Sequence, residues 1–257
     1  MVRGLYTAAS GMMVQMIRTD TIANNLANVR TSGFKRELSM FRAIPTQNII
    51  RINDKETTGP PPATAFDPRP FIGTMGTGVR FEENFTDFQQ GTLETTGNPT
   101  DLALQGDGFF VLQTPRGLRY TRDGHFRLGS DRSLVSSEGY PVLGLNGPIV
   151  LGEGQLAVTT DGQLTQDGQP IATLRIAGFP DKKSLRKEGH NLFVAGAPEQ
   201  AAAPAVHQGA VEGANVDMIH SMVSLIEAFR AYEINQRVVT AEDEMTGRAV
   251  NDVGRNR

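Results

Sequence analysis

The sequence predicts an α+β protein, with N- and C-terminal helices forming a coiled-coil α-domain and a central, mostly antiparallel all-β domain. Two observations carry that prediction. Apolar residues recur at heptad spacing near each end of the chain, and the region between them consists of short apolar or alternating runs separated by Asp-Gly and Asn-Gly dipeptides.

At the N-terminal end, from about residue 4 to 29, Leu5, Ala9, Met12, Met16, Ala23 and Leu26, with Thr19 between, alternate spacings of four and three. That is a heptad seam, and no proline interrupts it. Gly33 is expected to close the helix in a left-handed conformation, with Phe34 folding back onto the last turn. Within "DTIANNLANVRTSGFK", Asp20, Asn24 and Asn28 form a polar file at i, i+4 spacing, with Asn25 offset from it. Asn costs about 0.6 kcal/mol relative to Ala in a helix interior, so helix stability did not place these amides. They are assigned instead to fixing register and orientation in a multi-helix bundle, where the small Ala23 and Ala27 allow close approach.

The C-terminal helix is expected from about Asn215 to Val250, with Asn215 and Asp217 in its N-cap region. Met218, Met222, Leu225, Phe229, Tyr232 and Val239, with Gln236 between, repeat the four-three alternation, and Ile219, Val223 and Ile226 form a second stripe. An isolated helix pair buries one stripe per helix. The surplus stripe calls for neighbours from other copies. The Met-rich seam (Met12, Met16, Met218, Met222) suits non-equivalent partners because methionine adapts its shape. Helices with uncovered seams are also expected to be largely disordered in a free monomer and to order as neighbours bury them.

The remaining divisions follow from composition. Residues 1–36 read as the N-terminal axial helix, 37–80 as an extended Pro/Thr-rich linker or loop, 81–195 as the β-domain, 196–212 as a second linker and 213–257 as the C-terminal helix. Pro60, Pro61 and Pro62 exclude a helix in the first linker. In the β-domain, "FFVLQ", "LRYT", "HFRL", "SLVS", "LAVT" and "IATLRIA" are the strand candidates. Asp123-Gly124, Glu138-Gly139, Asn146-Gly147, Asp161-Gly162 and Asp167-Gly168 mark their corners.

Composition excludes several classes of function. A net charge of −3 gives no basic excess for nucleic acid, and the absence of cysteine removes disulfides, thiolate metal sites and cysteine nucleophiles. No apolar run approaches the roughly 18 residues of a membrane helix, and the start lacks a cleavable secretory signal pattern. The four histidines lack metal-ligand spacing, and no HExxH, P-loop or GxSxG is present. "GTMGTG" has no strand before it and no helix after it, so it is not a dinucleotide loop. No catalytic residue, cofactor or metal is expected.

The end segments "IANNLANVRTSGFKR" and "VEGANVDMIHSMVSLIEAFRAYEINQRVVTAEDEM" resemble the paired terminal signatures of the bacterial flagellar rod and hook family of axial proteins. "DLALQGDGFFVLQTPRGLRYTRDGHFRL" with "LVSSEGYPVLG" is similar to that family's central β-domain. The resemblance implies a structural subunit that self-assembles helically through its terminal helices, with the β-domain outside, and transmits torque without chemistry. It also implies passage through the flagellar type III export apparatus, neighbours among other rod and hook proteins, and a place in the flagellar basal body across the periplasm or cell wall.

The residues that match the family's terminal motifs are Asn24, Asn25, Leu26, Asn28, Gly33, Phe34 and Lys35, then Gly213, Asn215, Val216, Met222, Ile226, Arg230, Ala231, Tyr232, Glu233 and Asn235. Together with the seams, these make Leu5, Met12, Met16, Asn24, Asn25, Leu26, Asn28, Gly33, Phe34, Met218, Met222, Leu225, Ile226, Phe229, Tyr232 and Asn235 the expected self-assembly residues. "GTGVRFEENFTDFQQGTLETTGNPTDLAL" and "RAYEIN" resemble the distal-rod type, whereas "FRAIP" and "DEMTGRAVNDV" lean toward a similar-length proximal-rod paralogue. A secreted β-rich adhesion or binding module is the alternative from another class.

Overall fold

The computed structural model describes residues 2–50, 71–197 and 199–255. They form two units, each treated by itself: Met1–Thr21, Ser39–Asn84 and Val223–Arg257 in the first, Ile22–Leu38 and Phe85–Met222 in the second. Residues 51–70 of the expected first linker, including Pro60 to Pro62, lie outside the described residues.

Two long helices dominate the first unit. Helix α1 is Val2–Ala27 and helix α2 is Met218–Arg255. Both are longer at their outer ends than the periodicity suggests, and α2 begins three residues later. Asp217 is its cap: Asp217 Oδ1 accepts from His220 N at 3.0 Å, and Asp217 O accepts from Ser221 N. The hydrogen bond from His220 N is the largest cause holding the Asp217 carboxyl below its ordinary pKa. Asn215 stays outside the helix. Strand pairs accompany the helices, with Glu37–Ala43 beside Val79–Thr86 and Gln47–Ile50 beside Phe71–Met75. Strands thus stand at 37–50 and 71–80, where only a linker was expected, because the chain there lacks clean two-residue alternation.

The second unit is the β-body. Its largest sheet has six strands in the order Leu185–Gly189, Leu192–Ala195, Gly117–Thr121, Phe109–Thr114, Ile176–Gly178 and Gln200–Ala201. Its strand pairings are antiparallel. "FFVL" reads as an unbroken apolar run because this strand is buried on both faces. Phe110 and Leu112 enter a core with Leu102, Phe126, Leu134, Ile149 and Leu164, while Phe109 and Val111 face a second core with Tyr120, Phe179 and Phe193. Aromatic rings fill that second core, with Tyr120 and Phe179 edge-to-face at 4.8 Å.

Turn chemistry explains the hairpins. Asp167 (φ +50°) and Gly168 (φ +82°) make a two-residue turn joining Gln166 to its partner Gln169, as the sequence pair predicts. "IATLRIA" is not one strand: it breaks into Gln169–Thr173 and Ile176–Gly178, with Leu174 N bonded to Gly162 O. The second expected linker, 196–212, carries three strands, Gln200–Ala201, Ala205–Gln208 and Ala210–Glu212. The last two pair with Leu102–Gln105 and Leu93–Thr95. Main-chain hydrogen bonds to partner strands hold this Ala- and Pro-rich stretch, which its side chains do not announce.

Candidate assembly surface

Within the first unit α1 and α2 pack antiparallel. A Cβ on Gly4 would meet Glu242 Oε1 at 2.6 Å, and one on Gly11 would meet the Asn235 amide at 3.2 Å, so seven residues forward on α1 correspond to seven backward on α2. Gly4, Ala8 and Gly11 form the close-approach face of α1, with Ala8 buried. On α2 the shielded positions include Leu225, Ala228, Tyr232, Asn235, Val239, Glu242, Thr246 and Ala249, a series at three-four spacing, with Ser224 and Ala231 beside it. Small residues opposite larger ones bring the helices together while burying little apolar area.

The predicted seams therefore divide. On α1, Leu5, Met12 and Leu26 are half-buried, whereas Ala9, Met16 and Ala23 are exposed. On α2, Leu225 and Tyr232 are half-buried, whereas Met218, Met222 and Phe229 are exposed. The seams run along the border of the shielded face because the helices meet over glycine and alanine instead. What remains open is apolar and periodic. Tyr6, Ala9, Met13, Met16, Ala23 and Ala27, with Asp20 between, line the outer side of α1 at three-four spacing. Ile219, Met222, Ile226 and Phe229 do so on α2, with exposures of 74, 46, 53 and 56%.

The asparagines sort differently from the expected file. Asn24 and Asp20 are exposed, and Asn28 only closes the helix end, its Nδ2 donating to Asn24 O at 2.9 Å. Asn25, the offset one, is buried and clamps the backbone of Glu37: its Nδ2 donates to Glu37 O at 2.8 Å and its Oδ1 accepts from Glu37 N at 2.9 Å. An amide matches a peptide group in this two-point pairing, which explains Asn where Ala would make the better helix. Asn235 bonds its own helix, Nδ2 to Ala231 O.

Gly33 does not cap α1; it lies in a turn six residues beyond the last helical residue. Its φ is +66°, and a Cβ there would lie 2.3 Å from Asp123 N. Phe34 is buried under Lys187, whose Nζ stands 3.8 Å from the ring centroid, instead of packing back as a helix stop. Asn215 donates from Nδ2 to Asp87 O and Gln89 O and accepts from Arg36 N. Its role as a cross-link between distant segments has no periodic signal. Lys35, Arg122 and Glu212, buried together, are equally hidden: only their occurrence within the family-like segments points to them.

Among the described residues no group of three or more acidic or histidine side chains forms a metal-binding constellation, and no helix is long and apolar enough to cross a membrane. A helix pair with uncovered apolar stripes, joined in one chain to a β-body, describes a protein that builds larger structures. Family comparison agrees with that class. Residues 5–35 match the flagella basal body rod protein model, 103–172 the flagellar hook protein FlgE/F/G D1 domain and 207–252 the flagellar basal body rod FlgEFG protein C-terminal model.

The chain is similar to the flagellar basal-body rod protein FlgG of Borreliella burgdorferi, 35% identical over 98% of both chains. Another relative is the FlgG of Agrobacterium fabrum, 33% identical over 95% of this chain and 96% of the relative. The flagellar hook-basal body complex protein FlhO of Bacillus subtilis is 31% identical over 99 and 100%. The chain belongs to the flagellar basal-body rod family.

Proposed function

We propose that this chain is a structural subunit of the flagellar rod, of the distal-rod type, which polymerises helically through its terminal helices and carries torque. The observation that supports this most directly is the outer apolar stripe on each helix, which stays open after α1 and α2 have paired. Covering Ile226 and Phe229 alone would remove two large side chains from water, worth about 1.5–3 kcal/mol each when fully buried. Many copies packed side by side multiply that gain, and coiled-coil contacts between copies are the natural geometry for stripes of this spacing.

The expected self-assembly residues other than Asn24 and Asn28 take one of three roles on this reading. Met16, Met218, Met222, Ile226 and Phe229 meet neighbouring copies. Leu5, Met12, Leu225, Tyr232 and Asn235 support the pair within one chain, and Asn25, Leu26, Gly33 and Phe34 belong to the root of α1. Other rod and hook proteins are the expected neighbours at the ends of the polymer, and the flagellar type III apparatus the expected route out of the cell, into the basal body that spans the periplasm or cell wall. Family membership leaves the secreted adhesion module without support.

The test is Ile226→Asp combined with Phe229→Asp. Both side chains are exposed, so the free chain should keep the wild-type circular dichroism and melting temperature, while polymer formation measured by sedimentation and electron microscopy is lost. Wild-type polymers from this variant would refute the assembly face.

A further inference from the structure

Glu212, on the last strand before α2, lies where all three motif-bearing segments of the chain meet. Its carboxylate is fully buried: Oε1 accepts from Lys35 Nζ at 2.5 Å and from Gly91 N at 2.9 Å, and Oε2 accepts from Arg122 Nη1 at 3.1 Å. Lys35 and Arg122 expose 1 and 4% of their side chains. Lys35 Nζ also donates to Gln89 O at 2.6 Å and Arg122 Nη2 to Gly106 O at 2.5 Å. The backbone joins in, with Gly33 N donating to Glu212 O at 2.7 Å. One anion therefore faces two cations, and all three are out of water.

We propose that this junction is an interlock positioning the roots of both terminal helices: Gly33–Arg36 and Ala210–Glu212 dock on the β-body as one cooperative step, because the cations are tolerated there only with Glu212 in place. Desolvation works against both, lowering the pKa of Lys35 and of Arg122, and Glu212 is the largest influence opposing it in each case. Without its carboxylate two like charges would share a dry site, an arrangement far costlier than breaking a surface pair. Lys35, at the end of a flexible stem, would leave and take Gly33 and Phe34 with it. The three residues are unequal: without Lys35, a neutral Arg122–Glu212 pair remains. The interlock belongs to the free chain and does not rest on the assembly reading.

Hydrogen exchange of the full chain in dilute solution tests this, comparing Glu212→Gln, Lys35→Met and the double variant. Glu212→Gln should speed exchange about 100-fold or more in residues 33–36, 89–91 and 210–215 together, while Phe109–Thr114 keeps its protection. Lys35→Met alone should change these rates less than about tenfold, and adding it to Glu212→Gln should recover at least about tenfold. A role in packing alone gives no such rescue. The proposal is overturned if Glu212→Gln loosens only 210–212, if Lys35→Met is as damaging, or if the double variant is additive. Should Glu212→Gln fail to fold, folding of the double variant would support the interlock and its failure would overturn it.

Discussion

Replacing Gly33 by alanine isolates what the turn after α1 demands of the chain. A non-glycine residue in the left-handed region costs about 1–2 kcal/mol, and alanine recovers about 0.4–1 kcal/mol by restricting the unfolded chain. Gly97, at φ +77° with nothing within 4 Å of where a Cβ would stand, carries those two effects alone, so Gly97→Ala should destabilise by about 1 kcal/mol. Gly33 carries a third effect: its Cβ would sit 2.3 Å from Asp123 N and 2.5 Å from Arg122 C, both backbone atoms that cannot swing aside. Forced displacement of that kind costs about 1–3 kcal/mol more, giving a total of about 2–4 kcal/mol.

Urea unfolding of the β-body reads the difference. With a slope of about 2 kcal/mol/M, the midpoint should fall by about 1–2 M for Gly33→Ala and about 0.5 M for Gly97→Ala. Equal shifts for the two variants would refute the close-approach argument and leave backbone strain as the whole effect.

Three further outcomes follow from the same geometry. Asn25→Ala should lower the stability of the β-body by about 1–2 kcal/mol through loss of both bonds to Glu37, whereas Asn24→Ala, on an exposed helix site, should be neutral or stabilising by up to about 0.6 kcal/mol; urea midpoints distinguish them. Burial first, and then the Glu199 carboxylate, raise the Tyr120 pKa to about 12. Because the folded state holds that proton above the unfolded pKa of about 10, stability falls as pH climbs from about 10 to 12, and Tyr120→Phe should flatten this part of the stability profile. Trypsin on the dilute chain should cut at the exposed Arg30 and Arg230 and leave residues 85–215 of the β-body uncut, since Glu212–Asn215 are locked to that body; survival of the full chain would mean that the glycine-lined helix pair holds by itself.

Periodicity is a local property, and what depends on it is legible in the sequence. The uninterrupted four-three spacing announces α1 and α2, the FFVL run announces a strand buried on both faces, and Asp167-Gly168 announces its turn, because each follows from backbone preference and side-chain direction over a few residues. Partner choice is not local. The face that α1 turns to α2 is glycine and alanine, which add nothing to an apolar pattern, so the visible seams lie at the border of the shielded face. The strands between 200 and 212 take their order from the distant strands they pair with. Lys35, Arg122 and Glu212 stand 87 and 90 residues apart along the chain. Their charges could each have belonged to a solvated surface, and only the fold closes them into one dry site, since the energy that makes the trio matter comes from burial, which no single segment possesses.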